Sequence, residues 1–387
     1  MKNILIVNQS AELYGADKAI LELIENYPQG YNPIVVLHEE GPLKELLEKK
    51  GIEVVKCSVI KVKRGILTPR FFLQLPFEVL KSFLTIKKHL KGRKIDLIHS
   101  NATSVFIGAF YAYFFRIKHL WHVHEIIIHP KKVSEAYPKI VNFLSDHVIF
   151  NSLATAKHFL SICPKLEKKS CIIHNGQNRI CSFSNESRFS IRKNEFKINE
   201  QTIAIGLIGR ISRIKGQFVL LESFKILVSK YDNLHLVFIG SVAAGQEPIL
   251  ISLKSQINDL QLSDKVSIID FKENIWPYYD ALDIVTVPSV EPESFGLVAT
   301  EAMLSSKPVV ASRIGGLQEI VEDGMSGYFF EPGNVQELAT QIEKLIKSPD
   351  TMNTMGKFGL NRVEKEFNTN KFVSKISALY DKMSVGK

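Results

Sequence analysis

Short apolar runs, each followed by a stretch with apolar positions three and four apart, recur along the whole chain. Ile4–Val7, Ile34–Leu37, Leu97–His99, Leu120–Val123 and His147–Phe150 are apolar at nearly every position, as strands buried on both faces are. Between them Asp17–Asn26, Pro42–Lys50 and Pro138–Leu144 carry helical spacing. The rhythm begins again at Ile203–Ile208 and runs through Leu234–Ile239, Val266–Ile269, Ile284–Val287, Pro308–Ala311 and Gly327–Phe330. Such alternation predicts an α/β fold with parallel sheets covered on both faces. Two series predict two doubly wound domains, 1–178 and 202–367. The polar, aperiodic stretch 179–201 reads as the linker between them, and Asn368–Met383 as a final helix. Sheets of this type bind ligands at the carboxyl ends of their strands, so two of them would face each other across a cleft.

Composition narrows the partners. The chain has 387 residues and a net charge of +9, with 27 basic and 16 acidic side chains in residues 1–190 against 22 and 24 in the rest. A chain that bound nucleic acid along its length would not be acidic over half of it. Cys57, Cys163, Cys171 and Cys181 form no C-x-x-C pair and read as reduced thiols without a metal or redox role. The opening Met1–Asn8 is too short in apolar residues for a signal peptide, and the longest apolar run, Val105–Phe115, is about half of what a membrane helix needs.

Several phosphate-binding motifs are excluded. Gly206-Leu207-Ile208-Gly209-Arg210 lacks the dinucleotide spacing, and Gly240 to Gly245 is followed by Gln246 and Glu247 where a P-loop needs Lys and a hydroxyl. There is no G-x-S-x-G elbow, and no Asp-x-Asp that would clamp a metal-bound diphosphate. A phosphate would have to be neutralised by protein cations and backbone N–H groups.

Two motifs remain. Gly209-Arg210-Ile211-Ser212-Arg213-Ile214-Lys215-Gly216 follows a predicted strand and puts Arg210 and Lys215 on a glycine-bounded loop. A planar guanidinium and a mobile ammonium together could hold a diphosphate, although a solvated basic turn has the same composition. In Pro288–Met303, Ser294 is a good N-cap, and a helix from Phe295 onward would offer the N–H groups of Phe295, Gly296 and Leu297 to an anion. Glu293 precedes that helix and Glu301 lies two turns in, roughly 10 Å further on, so the two suit different hydroxyls of an elongated polyol.

With Glu293-x7-Glu301, Phe295-Gly296, Arg210, Lys215-Gly216, Ser312–Val321 and Asp323–Gly327 in one order, the sequence resembles the retaining glycosyltransferases of family 4. The looser amino-terminal matches are His122-Val123-His124-Glu125 and Ile173-His174-Asn175-Gly176. The resemblance implies the GT-B fold, two Rossmann-like domains with the last helix, 368–387, returning to the first. It implies no resident cofactor and no metal, with a nucleotide sugar (a UDP- or GDP-sugar) as donor substrate. Arg210 and Lys215 would grip the donor diphosphate, Glu301 the ribose and Glu293 the sugar hydroxyls. Phe295, Gly296 and Leu297 would line the sugar and phosphate, Gly15 would approach the phosphates, and His124 would sit near the anomeric centre. Where the family often has two glycines, this chain has Tyr14-Gly15.

The acceptor is read from charge. The stretch 61–94 holds ten basic residues and one acid, Glu78, interleaved with Phe71, Phe72, Leu75, Phe77, Leu80, Phe83, Leu84 and Ile86. Such a helix suits an anionic membrane surface, or is an ordinary amphipathic helix with a solvated face. It predicts a peripheral enzyme on the cytoplasmic leaflet using a polyprenyl-diphosphate-linked saccharide, as relatives in surface-polysaccharide assembly do, and not a nucleic-acid binder. A different GT-B enzyme, such as an epimerase or phosphorylase, and a non-catalytic sugar-binding protein are the rival readings.

Overall fold

The computed structural model describes residues 1–13, 15–27, 29–60, 69–243 and 245–384, with side chains for all of these except 69–72. The chain divides into two units, Met1–Gly176 with Asn368–Lys387, and Gln177–Phe367.

The first unit is built on seven strands: β1 (Lys2–Asn8), β2 (Tyr31–Leu37), β3 (Glu53–Lys56), β4 (Leu97–Asn101), β5 (Lys118–Val123), β6 (His147–Phe150) and β7 (Ser170–Ile172). They pair in parallel in the order β3-β2-β1-β4-β5-β6-β7. All five strands read from apolar runs are present. The two additions, β3 and β7, are short edge strands with too few apolar positions to stand out. The winding reverses between β1 and β4, where Asn8 lies opposite Asn101. Loops diverge at such a point and leave room for polar chemistry. The helix Thr369–Ser384 completes this unit: Phe372, Ile376 and Tyr380 share a buried cluster with Ile4, Ile6, Leu97, Leu120 and Ile149. The Tyr380 hydroxyl is 2.6 Å from His99 Nδ1. The predicted return of the last helix to the first domain is therefore observed.

The second unit has all six predicted strands: β8 (Ile203–Ile208), β9 (Leu234–Ile239), β10 (Val266–Ile269), β11 (Ile284–Val287), β12 (Val309–Ser312) and β13 (Gly327–Phe330). Their parallel order is β10-β9-β8-β11-β12-β13, so the winding reverses between β8 and β11.

The stretch 179–201 is not a free linker but part of the second unit. A helix, Asn185–Ile191, is capped by Ser184 Oγ, which accepts from the Ser187 N–H, and a π-helical turn, Arg192–Phe196, follows. Arg192 is buried, and donates to Ala281 O at 2.8 Å, Asn199 O at 3.1 Å and Asp283 Oδ2 at 3.1 Å. Ile191 and Phe196 sit in a core with Tyr278 and Leu282. One buried cation and two apolar anchors fix the segment, and none of these has a period that sequence reading could find.

Of the basic stretch 61–94, residues 61–68 lie outside the described residues, as do the side chains of Phe71 and Phe72. Most of the rest forms the helix Pro69–Leu90. No helix among the described residues is long and apolar enough to cross a membrane.

Candidate active site

In the second unit, the loop 209–216 leaves β8 and enters the helix Gln217–Val228. Gln217 is wholly buried, and its Nε2 donates to Arg210 O at 3.0 Å, which holds the loop's shape. The Arg210 side chain is exposed. Lys215 Nζ donates to Glu293 Oε1 at 2.6 Å, and Ser289 Oγ donates to the same oxygen at 2.5 Å.

Backbone contacts lock the loops that carry these groups. The Val290 N–H donates to Ile214 O at 2.9 Å. A Cβ on Gly216 would stand 1.9 Å from Pro288 O, and its φ is 78°, so only glycine fits. The Gly316 N–H donates to Glu293 O at 2.8 Å, and Gly315 (φ 60°) lies where a Cβ would be 2.2 Å from that oxygen. Three loops thus converge on Glu293. Burial works to raise its carboxyl pKa, but the Lys215 ammonium and the hydrogen bonds from Lys215 and Ser289 outweigh burial, so the net shift is downward.

The helix after Glu293 begins later than predicted. It spans Leu297–Leu304, and its N-cap is Gly296 in the left-handed region (φ 109°), not Ser294. Phe295 is buried in the core against Phe367 rather than opening the helix, so Leu297 and Val298 stand in the first turn. First-turn N–H groups have no intrahelical acceptor and favour anions.

Glu301, just over one turn beyond Leu297, is 3% exposed. Its Oε1 accepts from Gln177 Nε2 at 3.0 Å and its Oε2 from the Tyr279 hydroxyl at 2.7 Å. Burial and the neighbouring Glu301 charge raise the Tyr279 pKa well above its usual value, so this phenol stays a donor. Glu293 and Glu301 therefore have separate partners, as their spacing suggested.

His124 and Gly15 belong to the first unit. Gly15 opens the helix Gly15–Glu25; its neighbour Tyr14 lies outside the described residues. His124 is buried just beyond β5, with Nε2 2.8 Å from Asn101 Oδ1. Asn101 Nδ2 donates to Asn8 Oδ1 (2.7 Å) and Ala16 O (3.0 Å), and Asn8 Nδ2 donates to Asp17 Oδ1 (2.7 Å). Because the Asn101 amide nitrogen is committed, its oxygen faces the ring. Nε2 of His124 therefore carries the proton and Nδ1 is the acceptor. Burial lowers the His124 pKa to about 3, so the ring is neutral near pH 7. The His122 ring packs against it at a 39° tilt, with centroids 3.9 Å apart.

The structure thus gathers Lys215, Glu293, Gly296 and Leu297 in one unit, with Arg210 on the same loop as Lys215 and Glu301 further along the helix. Sequence reading missed Ser289, Gln217, Gln177, Tyr279, Asn8, Asp17 and Asn101. Each is a polar side chain that acts through burial, which residue identity does not report. Among the described residues, no three His, Cys, Asp or Glu side chains come together to hold a metal ion.

Two family profiles match the chain: "Glycosyltransferase Family 4" over residues 15–178 and "Glycosyl transferases group 1" over 189–362. The capsular polysaccharide biosynthesis glycosyltransferase CapM of Staphylococcus aureus is 27% identical over 269 residues, 64% of this chain and 66% of CapM. A D-inositol 3-phosphate glycosyltransferase of Corynebacterium urealyticum is 35% identical over 159 residues, 40% of this chain and 37% of that protein. Among solved structures, Anabaena HepE in complex with UDP and glucose superposes with a TM-score of 0.85 at 26% identity, covering 98% of this chain and 100% of that one. The HepE complex with UDP-glucose gives 0.84.

Proposed function

The chain belongs to glycosyltransferase family 4, and on that footing we propose that it is a retaining, metal-independent enzyme that moves a hexosyl or related sugar from a UDP-sugar to a lipid-linked saccharide. The observation that carries this reading is the Lys215–Glu293 pair, held at 2.6 Å by three loops beside a helix start. The HepE complexes with UDP and UDP-glucose support the donor class. CapM, described as acting in capsular polysaccharide biosynthesis, supports a polysaccharide product.

In the reaction the bond between the anomeric carbon and the phosphate oxygen breaks, and the nucleoside diphosphate leaves. Arg210, Lys215 and the first-turn N–H groups would meet the charge that builds on the leaving oxygens, and preorganised charge of this kind is the main catalytic term. Glu293 would accept hydrogen bonds from sugar hydroxyls, Glu301 from the ribose. The neutral His124 would accept a hydrogen bond from a sugar hydroxyl at Nδ1, and could not serve as a general acid at neutral pH. Glu293 is ion-paired to Lys215, and Glu301 is held by Gln177 and Tyr279 and assigned to the ribose, so neither is given the role of covalent nucleophile. We therefore assign a front-face displacement in which the acceptor's proton passes to the leaving phosphate oxygen.

The acceptor reading rests on the helix Pro69–Leu90. Leu73, Phe77, Leu80 and Leu84 fall on one arc and are 57–75% exposed, while Ile86 and Leu90 on the other side are buried in the core. Tyr113, Phe114, Phe115 and Phe143 extend the exposed apolar surface; Phe83 links them, 5.6 Å from both Phe114 and Phe115. Lysines around the apolar arc suit anionic lipid on the inner face of a membrane.

A nucleotide-release assay across UDP-, GDP- and ADP-sugars, with NMR of the product, tests the proposal. Acceptor-dependent UDP release with the donor's anomeric configuration kept is expected. An inverted product refutes the front-face mechanism, and altered free sugar without acceptor product points to an epimerase. Replacing Lys87, Lys88, Lys91 and Lys94 with Glu should abolish sedimentation with anionic vesicles; unchanged sedimentation overturns the membrane reading.

A further inference from the structure

The side chain that fixes Glu301 comes from an unexpected place. Gln177 is the first residue of the second unit, at the point where the chain enters it. Its backbone N–H donates to the carbonyl of Phe367, the last residue of that unit, at 2.9 Å. The two crossings of the chain between units are therefore tied to each other by one hydrogen bond. On the other side of the junction, a Cβ at Gly176 would stand 2.5 Å from Phe372 Cβ and 2.8 Å from Asn368 O, so the crossings are packed as closely as backbone allows.

From this junction the Gln177 side chain, 7% exposed, reaches the helix Leu297–Leu304. A carboxylate only accepts, so the amide nitrogen must face Glu301 Oε1, at 3.0 Å. That leaves the amide oxygen 2.8 Å from Thr300 Oγ1, whose single proton it shares as acceptor with Leu297 O, also at 2.8 Å. One amide is thus bonded at both ends to adjacent residues of the helix, while its own backbone is bonded to the returning crossing. Tyr279 donates to the other Glu301 oxygen, at 2.7 Å.

We propose that Gln177 is a positioning residue which aims Glu301 at the donor's ribose and transmits donor occupancy to the paired chain crossings. This rests on the assignment of Glu301 to the donor. Ligand hydrogen bonds to the carboxylate change what it accepts from the amide, and the amide belongs to the same residue whose backbone N–H bonds Phe367 O. A residue at 177 without the amide would still let the chain cross and would still leave Tyr279 on Glu301, but the two would no longer report to each other.

The test uses the full chain and UDP or UDP-glucose as probes, comparing wild type with Gln177→Leu and Gln177→Met. Donor KM should rise about tenfold in both variants, as expected for one lost hydrogen bond to a charged group, with kcat within about twofold. Hydrogen exchange supplies a readout that a merely structural role would not move. Saturating UDP should slow exchange at residues 174–179 and 366–370 in wild type, and in the variants it should protect the helix Leu297–Leu304 without protecting those two segments. Unchanged donor KM, or UDP-induced protection of the crossings that survives in both variants, overturns the proposal while leaving the donor assignment intact. If wild type binds neither probe, the donor assignment fails and this inference fails with it.

Discussion

Removing the Lys215 charge should expose how much the central ion pair contributes. Lys215 and Glu293 meet at 2.6 Å with side chains 27% and 17% exposed. Fully buried pairs lose about 3–5 kcal/mol when one partner is deleted and exposed pairs contribute under about 1, so a value near 2 kcal/mol fits this site. Lys215→Met leaves Glu293 with Ser289 alone in a setting whose burial already opposes its charge. Glu293→Gln leaves a partly buried ammonium with a weaker acceptor. Each variant should lose about 2 kcal/mol, whereas the double variant should lie closer to wild type than either, because no charge is left stranded. The pH dependence has a definite sign. The folded pKa of Glu293 lies below its unfolded value, so its contribution is complete above about pH 4.5 and is lost as pH falls through the folded value. The gap between wild type and Lys215→Met should therefore close in acid. Urea unfolding followed through Trp276, buried in the second unit, in a Trp121→Phe background isolates the relevant transition. Additive single effects, within about 0.5 kcal/mol, refute the reasoning. If Lys215 has the proposed role on the leaving phosphate, turnover should not recover in the double variant.

Three further outcomes follow. Burial lowers the pKa of His99 and His124 to about 3 and of His119 to about 4, so below pH 6.5 the unfolded chain binds protons that the fold refuses. Going from pH 7 to 5 should cost the first unit roughly 2 kcal/mol per histidine, read by Trp121 fluorescence in a Trp276→Phe background; an equal loss in the second unit contradicts this. Gly216→Ala should destabilise the second unit by about 2–3 kcal/mol by urea unfolding, because the added Cβ meets Pro288 O and the φ is positive. Glu301→Gln should weaken UDP binding by about tenfold in calorimetry, since a neutral amide accepts ribose hydroxyl bonds less strongly than a carboxylate.

The parallel sheets were legible because buried strands must be apolar at consecutive positions: β1, β2, β4, β5, β6 and β8 to β13 all show that pattern. The edge strands β3 and β7 were not, having too little buried surface to leave a signature. Residues 179–201 were misread because Arg192 is held by carbonyls and two carboxylates, Asp283 and Glu200, interactions that residue identity does not reveal. In the candidate site, the charged residues were legible from motif and spacing, as was the separation of Glu293 from Glu301. The helix start was misplaced by two residues because Ser294 is a better cap by composition, whereas Phe295 is drawn into the core and Gly296 takes the left-handed turn. The supporting amides, Gln217, Gln177 and Asn101, became visible only through their distances.

The central claim is that the second unit takes a nucleotide sugar on protein cations. Calorimetric titration of UDP-glucose into wild type and into the Arg210→Ala/Lys215→Met double variant tests it most directly. The account predicts a single site in wild type, and affinity at least about tenfold weaker in the variant, whose fold is checked through Trp276. Binding of equal strength in both proteins, or none in either, would contradict it.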